Sequence, residues 1–159
     1  MAEQEVLAVI RASMGRRVLG VGVMAALGVL LVYVSLTNPP QNVAWQVFLI
    51  VIGVGALWMA ERMRRATMLS VEVTRDGLRS STGEMIAPLD AIEAMDRGMF
   101  AFKPSNGFLL KLKHKTPARW EPGLWWRLGN RVGIGGVTPG SQAKAAAEIL
   151  AALMAERQA

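Results

Sequence analysis

Apolar and polar positions divide the chain into two unlike parts. From Val18 to Ala60 there are 43 consecutive residues without a charge. The run breaks only at Thr37-Asn38-Pro39-Pro40-Gln41-Asn42. Two prolines flanked by asparagines make a turn there and cannot continue a helix. On either side lie Val18–Leu36 and Val43–Ala60, of 19 and 18 residues, with Gln46 the only strongly polar position of the second. About 20 apolar residues span the ~30 Å hydrocarbon core of a bilayer as a helix. The pattern therefore predicts two membrane spans, 18–36 and 43–60, held antiparallel by a short connection. A buried helix pair of a soluble protein would keep a polar stripe, and neither segment has one. A cleaved signal peptide fits poorly, because no small-x-small cleavage site follows and a second apolar run comes at once.

The flanks orient this hairpin (residues 18–61). Arg11, Arg16 and Arg17 precede the first span, Arg62, Arg64 and Arg65 follow the second, and the connection has no Lys or Arg. The positive-inside rule then puts both termini in the cytoplasm and the Pro-Pro turn outside. Tyr33, Trp45 and Trp58 fall near span ends, where amphipathic rings favour the interface. Gly22 with Ala26, and Gly53 with Gly55, are small residues of the kind that allow close helix packing. In the N-terminal segment (1–17), the spacing of Val6, Leu7, Ile10 and Met14 predicts a short helix. Glu3 and Glu5 suit its start and Arg11 its later turns. It either lies on the membrane surface or extends the first span.

From Thr67 the period changes to two. Leu69, Val71 and Val73 alternate with Ser70, Glu72 and Thr74, which reads as a half-buried strand. Asp76-Gly77 turns the chain into Leu78–Ser81, and Thr82-Gly83 turns it again into Glu84–Pro88. A bend at Leu89–Ile92 leads to a strand at Ile92–Asp96. Met99–Lys103 and Phe108–Lys115 then flank the turn Pro104–Gly107, the clearest hairpin signal in the chain. Phe108, Leu110 and Leu112 share one face of the second arm, and Lys111, Lys113 and Lys115 the other. Thr116–Asn130 reads as irregular and holds Trp120, Trp125 and Trp126. A last strand is expected at Arg131–Gly136. Thr138 or Ser141 then caps a helix whose apolar stripe is Ala146, Ile149, Leu150, Leu153 and Met154. That stripe predicts a helix laid on the open sheet. Residues 67–159 thus form one α+β unit of about seven strands with a C-terminal helix.

Composition narrows the chemistry. There is no cysteine and one histidine, which excludes disulfides, thiol nucleophiles and multi-histidine metal sites. His114, in a basic strand, reads as a structural residue at a sheet end rather than a base or pH switch. Glu84, Asp90, Glu93 and Asp96 are spread through strands and turns and read as solvated groups rather than an acid–base pair. The glycines at 129, 133, 135 and 136 lack the strand–loop–helix frame and lysine of a phosphate-binding loop, and more simply allow bends. No enzyme, cofactor or metal is expected.

The net charge of +6, from 18 Lys+Arg against 12 Asp+Glu, calls for an anionic partner. The excess concentrates between Lys103 and Arg131: Lys103, Lys111, Lys113, Lys115, Arg119, Arg127 and Arg131 stand against Glu121 alone. With Trp120, Trp125 and Trp126 interleaved, this stretch is the candidate interaction surface. Cations beside aromatics suit a lipid headgroup layer or a protein interface; the plain alternative is a solvated strand with its tryptophans in the core. A short tether to the membrane argues against nucleic acid. Arginine outnumbers lysine 13 to 5, a bias associated with GC-rich bacterial genomes.

Three stretches together resemble the bacterial pleckstrin-homology-like (PH-like) domain. They are the hairpin Leu69–Leu78, the Ile86-Ala-Pro-Leu-Asp-Ala-Ile92 strand entry, and Arg131–Gly136 followed by the Thr138-initiated helix. The resemblance implies a curved antiparallel sheet closed by the C-terminal helix, preceded by a two-span hairpin. It also implies a non-enzymatic protein of the bacterial inner membrane. Its domain would bind lipid or an integral-membrane partner, in assembly or organisation of a membrane complex. The alternative is a stoichiometric accessory subunit of a respiratory or photosynthetic complex.

Overall fold

The computed structural model describes residues 5–96 and 105–158. The order is strand β1 (Val6–Arg11), helices α1 (Met14–Thr37) and α2 (Val43–Ala66), strands β2 (Ser70–Thr74), β3 (Gly77–Ser80), β4 (Met85–Pro88), a 3-10 turn at Leu89–Ala91, β5 (Ile92–Asp96), β6 (Phe108–Glu121), β7 (Trp125–Ile134) and helix α3 (Gly140–Gln158). The strands form two antiparallel sheets, β1-β2-β3-β4 and β5-β6-β7. The expected strand Met99–Lys103, with Lys103 itself, lies outside the described residues.

The N-terminal segment corrects the sequence reading. Val6–Arg11 is a strand, not a helix, and it pairs with β2 through Ala8↔Val73, Val9↔Glu72 and Ile10↔Val71. A five-residue apolar run, Val6–Ile10, is too short for its period to decide between the two states. Val6, Val9 and Ile10 are β-branched and favour the pleat, and pairing with β2 buries Ile10 completely. The consequence is topological. The helical hairpin does not merely precede the sheet; it stands where the β1–β2 turn would be.

Both helices are long and apolar enough to cross a membrane. At 24 residues each they run beyond the predicted 18–36 and 43–60. Their contact centres on glycine. A Cβ on Gly28 would lie 2.8 Å from the Gly53 carbonyl oxygen, and one on Gly53 would lie 3.0 Å from that of Gly28. Of the other small residues singled out, Gly22 and Gly55 face open space. Near the connecting turn two polar side chains satisfy each other's backbone: Gln46 Nε2 donates to the Ser35 carbonyl at 3.1 Å, and Ser35 Oγ to the Gln46 carbonyl at 3.2 Å. Asn42 caps α2 by accepting from the Ala44 N–H at 2.9 Å.

One core joins the sheets and α3. It contains Ile10, Val71, Val73, Leu78, Ile86, Phe108, Leu110, Leu112, Trp125, Val132, Ile134 and Leu150. The predicted stripe of α3 is its buried side, with Ala146 and Leu150 fully covered and Ile149, Leu153 and Met154 packed at the margin. The helix lies across β1, and its Gln142 Oε1 accepts from the Arg11 N–H at 2.9 Å.

The second correction is the stretch 116–130. It is not irregular: β6 and β7 make a hairpin reaching from Phe108 to Ile134. Its turn is Glu121-Pro122-Gly123-Leu124, with Leu124 N–H donating to the Glu121 carbonyl at 3.1 Å and Gly123 at φ 81°. Proline second and a positive-φ glycine third are the requirements of a type II turn. Pro117 sits where the register shifts between Thr116 and Arg119; such a bulge tolerates a residue without an N–H.

Leu150→Ala should remove ~2–5 kcal/mol of stability, as a fully buried leucine of α3. Leu153→Ala, at the margin, should cost less. Denaturant unfolding of the full chain in detergent, followed by tryptophan fluorescence, measures both. Equal and negligible effects would show that α3 is not docked.

Candidate interaction surface on the long hairpin

Strand alternation continued from Leu110 and Leu112 would turn Trp120 inward. The register shifts between Lys111 and Arg119 reverse it. Trp120 emerges 48% exposed opposite Trp126, and Leu128 on the same face is 66% exposed. With Ala118 they form an apolar surface flanked by Arg119 and Arg127. Trp126 is half-buried and packs against Gly133, where any side chain would collide with the indole. Gly133 is thus the seat of a ring rather than only a bend.

The other face of the hairpin is structural. Trp125, proposed for the surface, is 1% exposed and belongs to the core. Arg127 stacks over it, the guanidinium carbon 5.8 Å from the ring centroid. The same guanidinium donates to the carbonyls of Pro117 at 3.0 Å and of Met85 and Ile86 at 3.2 Å each. It therefore holds the β4 edge of one sheet to β7 of the other, which do not pair by backbone. Glu84 lies between Arg119 (3.0 Å) and Arg127 (3.6 Å), and Glu121 also pairs with Arg119 at 3.2 Å. In sequence alone Arg119 and Arg127 read as part of a basic interaction surface and Glu84 as a solvated acid. Charge alone could not show that a seam runs between them.

The remaining cations are arranged differently. Lys111 faces Arg131 across the ladder and is exposed, with Glu93 2.9 Å away. Lys113, Lys115 and Arg131 are exposed, as is His114, expected to point with Leu110 and Leu112. The basic stripe and the Trp120–Leu128 face are therefore separated by the register shifts. Asp90 is exposed at the 3-10 turn. Among the described residues, no three His, Cys, Asp or Glu side chains come together as a metal site would require.

The hairpin is tied to the helices. Arg62 Nη2 donates to the Trp120 carbonyl at 3.4 Å, and its guanidinium stacks over Trp58 at 5.6 Å. Arg64 and Arg65 instead grip Glu61 at 2.7 and 2.6 Å. The loop after β7 completes the joint. Val137 N–H donates to the Gly123 carbonyl at 3.0 Å, Ser13 N–H to the Val137 carbonyl at 2.8 Å, and Arg16 Nη1 to the Thr138 carbonyl at 3.1 Å. Gly135 (φ 136°) and Gly136 (φ 135°) let this loop approach the backbones of Gly107 and Gly123. Arg17 lies one position further along α1, half-buried.

Comparison with known protein families, with curated proteins and with solved structures gave no match.

Arg127→Ala should destabilise the chain by ~1–3 kcal/mol, because it strips hydrogen bonds from part-buried carbonyls of two elements. Arg127→Lys should recover little, since an ammonium cannot span acceptors that a planar fork reaches. Denaturant midpoints of the full chain in detergent provide the comparison. A wild-type midpoint for Arg127→Ala would remove the seam from the account.

Proposed function

We propose that this chain is a membrane-anchored interaction protein. In this reading α1 and α2 cross the bacterial inner membrane with both termini cytoplasmic. The β domain is PH-like, with its first strand placed before the membrane hairpin. The face bearing Trp120 and Leu128 docks an integral-membrane partner at the bilayer surface. The observation that carries it is the pairing of an exposed apolar face with its fixed position: the Trp120 carbonyl is held by Arg62, which also covers Trp58 at the end of α2. Large apolar side chains in a rigid strand pair are the usual anchors of an interface, and monomers seldom leave contiguous ones bare. The basic stripe Lys113, Lys115 and Arg131 adds attraction to anionic lipid or to an acidic partner. What supports the PH-like reading is two antiparallel sheets among the described residues and a C-terminal helix packed on their core.

One observation favours the accessory-subunit reading as well. Gly22 and Gly55 meet nothing within 4 Å, so each long helix keeps a face that a neighbouring helix could approach closely. Stoichiometric copurification in mild detergent would support it over a transient partner.

A photoreactive side chain at Leu128, in the full chain in native membranes, should give a discrete protein adduct that is absent from the same group at exposed Glu148. A lipid adduct alone would assign the face to the bilayer surface instead. Indistinguishable patterns at the two positions would contradict a docking role.

A further inference from the structure

A groove of about 500 Å³ runs along the first half of α1. Leu19, Val23 and Leu27, an i, i+4, i+8 row, form its wall, and all three are exposed. Its head is closed by Asn106, Gly136 and Val137 of the β domain, with Arg16 at the rim. From this we infer a binding site for one anionic glycerophospholipid of the cytoplasmic leaflet, its acyl chain along Leu19–Leu27 and its phosphate beside Arg16. The inference rests on the reading that α1 crosses the membrane.

Three features select this occupant. First, eight residues of helix between Leu19 and Leu27 cover about 12 Å, close to the roughly 15 Å depth of one leaflet's hydrocarbon. The wall thus matches an acyl chain, and Arg16 lies one turn above it, at headgroup level. Second, the groove is open along an exposed helix face but blocked at its head by folded backbone. A helix of a partner would have to continue past this block, whereas a lipid ends there. Third, the Gly136, Val137 and Ser13 N–H groups at the head are already committed, and Arg16 is the charged group that lines it. Gly136 N–H goes to the Ser105 carbonyl, Val137 N–H to Gly123, and Ser13 N–H to Val137. Arg16 uses Nη1 on the Thr138 carbonyl, which fixes its direction. Its other N–H groups have no protein partner among the described residues, and phosphate oxygens match that planar fork.

The site differs from a general attraction to anionic membranes. Gly20 forms the inner side of the groove, where a Cβ would come 3.0 Å from Met63 Cε of α2 and 4.0 Å from Val137. A lipid held here would touch α1 and the loop after β7 together, and so stiffen the joint between helices and sheets.

The test uses the full chain in a neutral detergent, with native mass spectrometry during titration of phosphatidylglycerol or phosphatidylcholine of identical acyl chains. The wild type should retain a single phosphatidylglycerol about fivefold more tightly than phosphatidylcholine, the size of one arginine's attraction at an anionic surface. Arg16→Gln should abolish the preference and Arg16→Lys should restore only part of it, since an ammonium keeps the charge but not the fork. Val23→Trp, which fills the groove from its exposed wall, should weaken both lipids. Equal retention of the two lipids by the wild type, or an unchanged preference in Arg16→Gln, would overturn the site. Topology is read separately, by labelling Asn38→Cys and Ser105→Cys with an impermeant maleimide in intact cells. Labelling of Asn38→Cys alone upholds the membrane reading whatever the lipid result. Labelling of both would overturn that reading and the site with it; labelling of Ser105→Cys alone would invert the orientation and so overturn a site in the cytoplasmic leaflet.

Discussion

The pairing of β1 with β2 is the constraint on which the rest of the structure depends. These adjacent strands are separated by 58 residues of chain, nearly all of it the helical hairpin. Loop closure over such a length is tolerable because its entropic cost grows only logarithmically. Here the antiparallel packing of α1 on α2, centred on Gly28 and Gly53, itself brings Met14 and Ala66 to the same end of the hairpin. Only Ala12-Ser13 and Thr67–Leu69 join helices to sheet. A domain on a single linker can swivel, whereas one gripped by two short connections into neighbouring strands cannot. Its surfaces keep a set orientation to the helix axes.

That fixed orientation gives the junction its density of contacts. The turn at Gly123, the loop at Gly135–Val137, the start of α1 and the end of α2 all meet there, mostly through backbone hydrogen bonds. Side chains then add direction. Arg16 and Arg62, which the positive-inside rule treats as interchangeable cations, each hold a particular carbonyl of the β domain. Arg127 does the same between the two sheets. The same residue type thus serves both attachment and closure, because a guanidinium remains charged and can reach several acceptors at once.

The sequence made some of this legible and hid the rest for physical reasons. The helical hairpin was readable because an uncharged run of this length has few other uses, and α3 because its stripe is long enough to define a period. Val6–Arg11 was not, since its fate is decided by β2, some sixty positions away. The β6–β7 hairpin was obscured by Pro117, Pro122 and Gly123, which are breakers locally but serve as a bulge and a turn once the strands pair. The surface residues divided for the same reason. Trp120 and Trp125 have similar sequence surroundings, yet a register shift sends one to solvent and leaves the other in the core. Residue type announced an aromatic, basic surface, but only the register determines which members face outward.

Strand insertion can be tested by cross-linking, because the chain has no native cysteine. Val9, Glu72 and Arg79 line the outer face of three successive strands, with Val9 opposite Glu72 and Glu72 opposite Arg79. Directly opposed Cβ atoms lie about 4.5–5.5 Å apart, near the reach of a disulfide, whereas the second strand over is roughly twice the ~4.8 Å strand spacing away. Under mild oxidation of the full-length protein in detergent, Val9→Cys/Glu72→Cys should close rapidly and Val9→Cys/Arg79→Cys slowly. Closure of neither pair, or of both at one rate, would show that the N-terminal segment is not the first strand of the sheet.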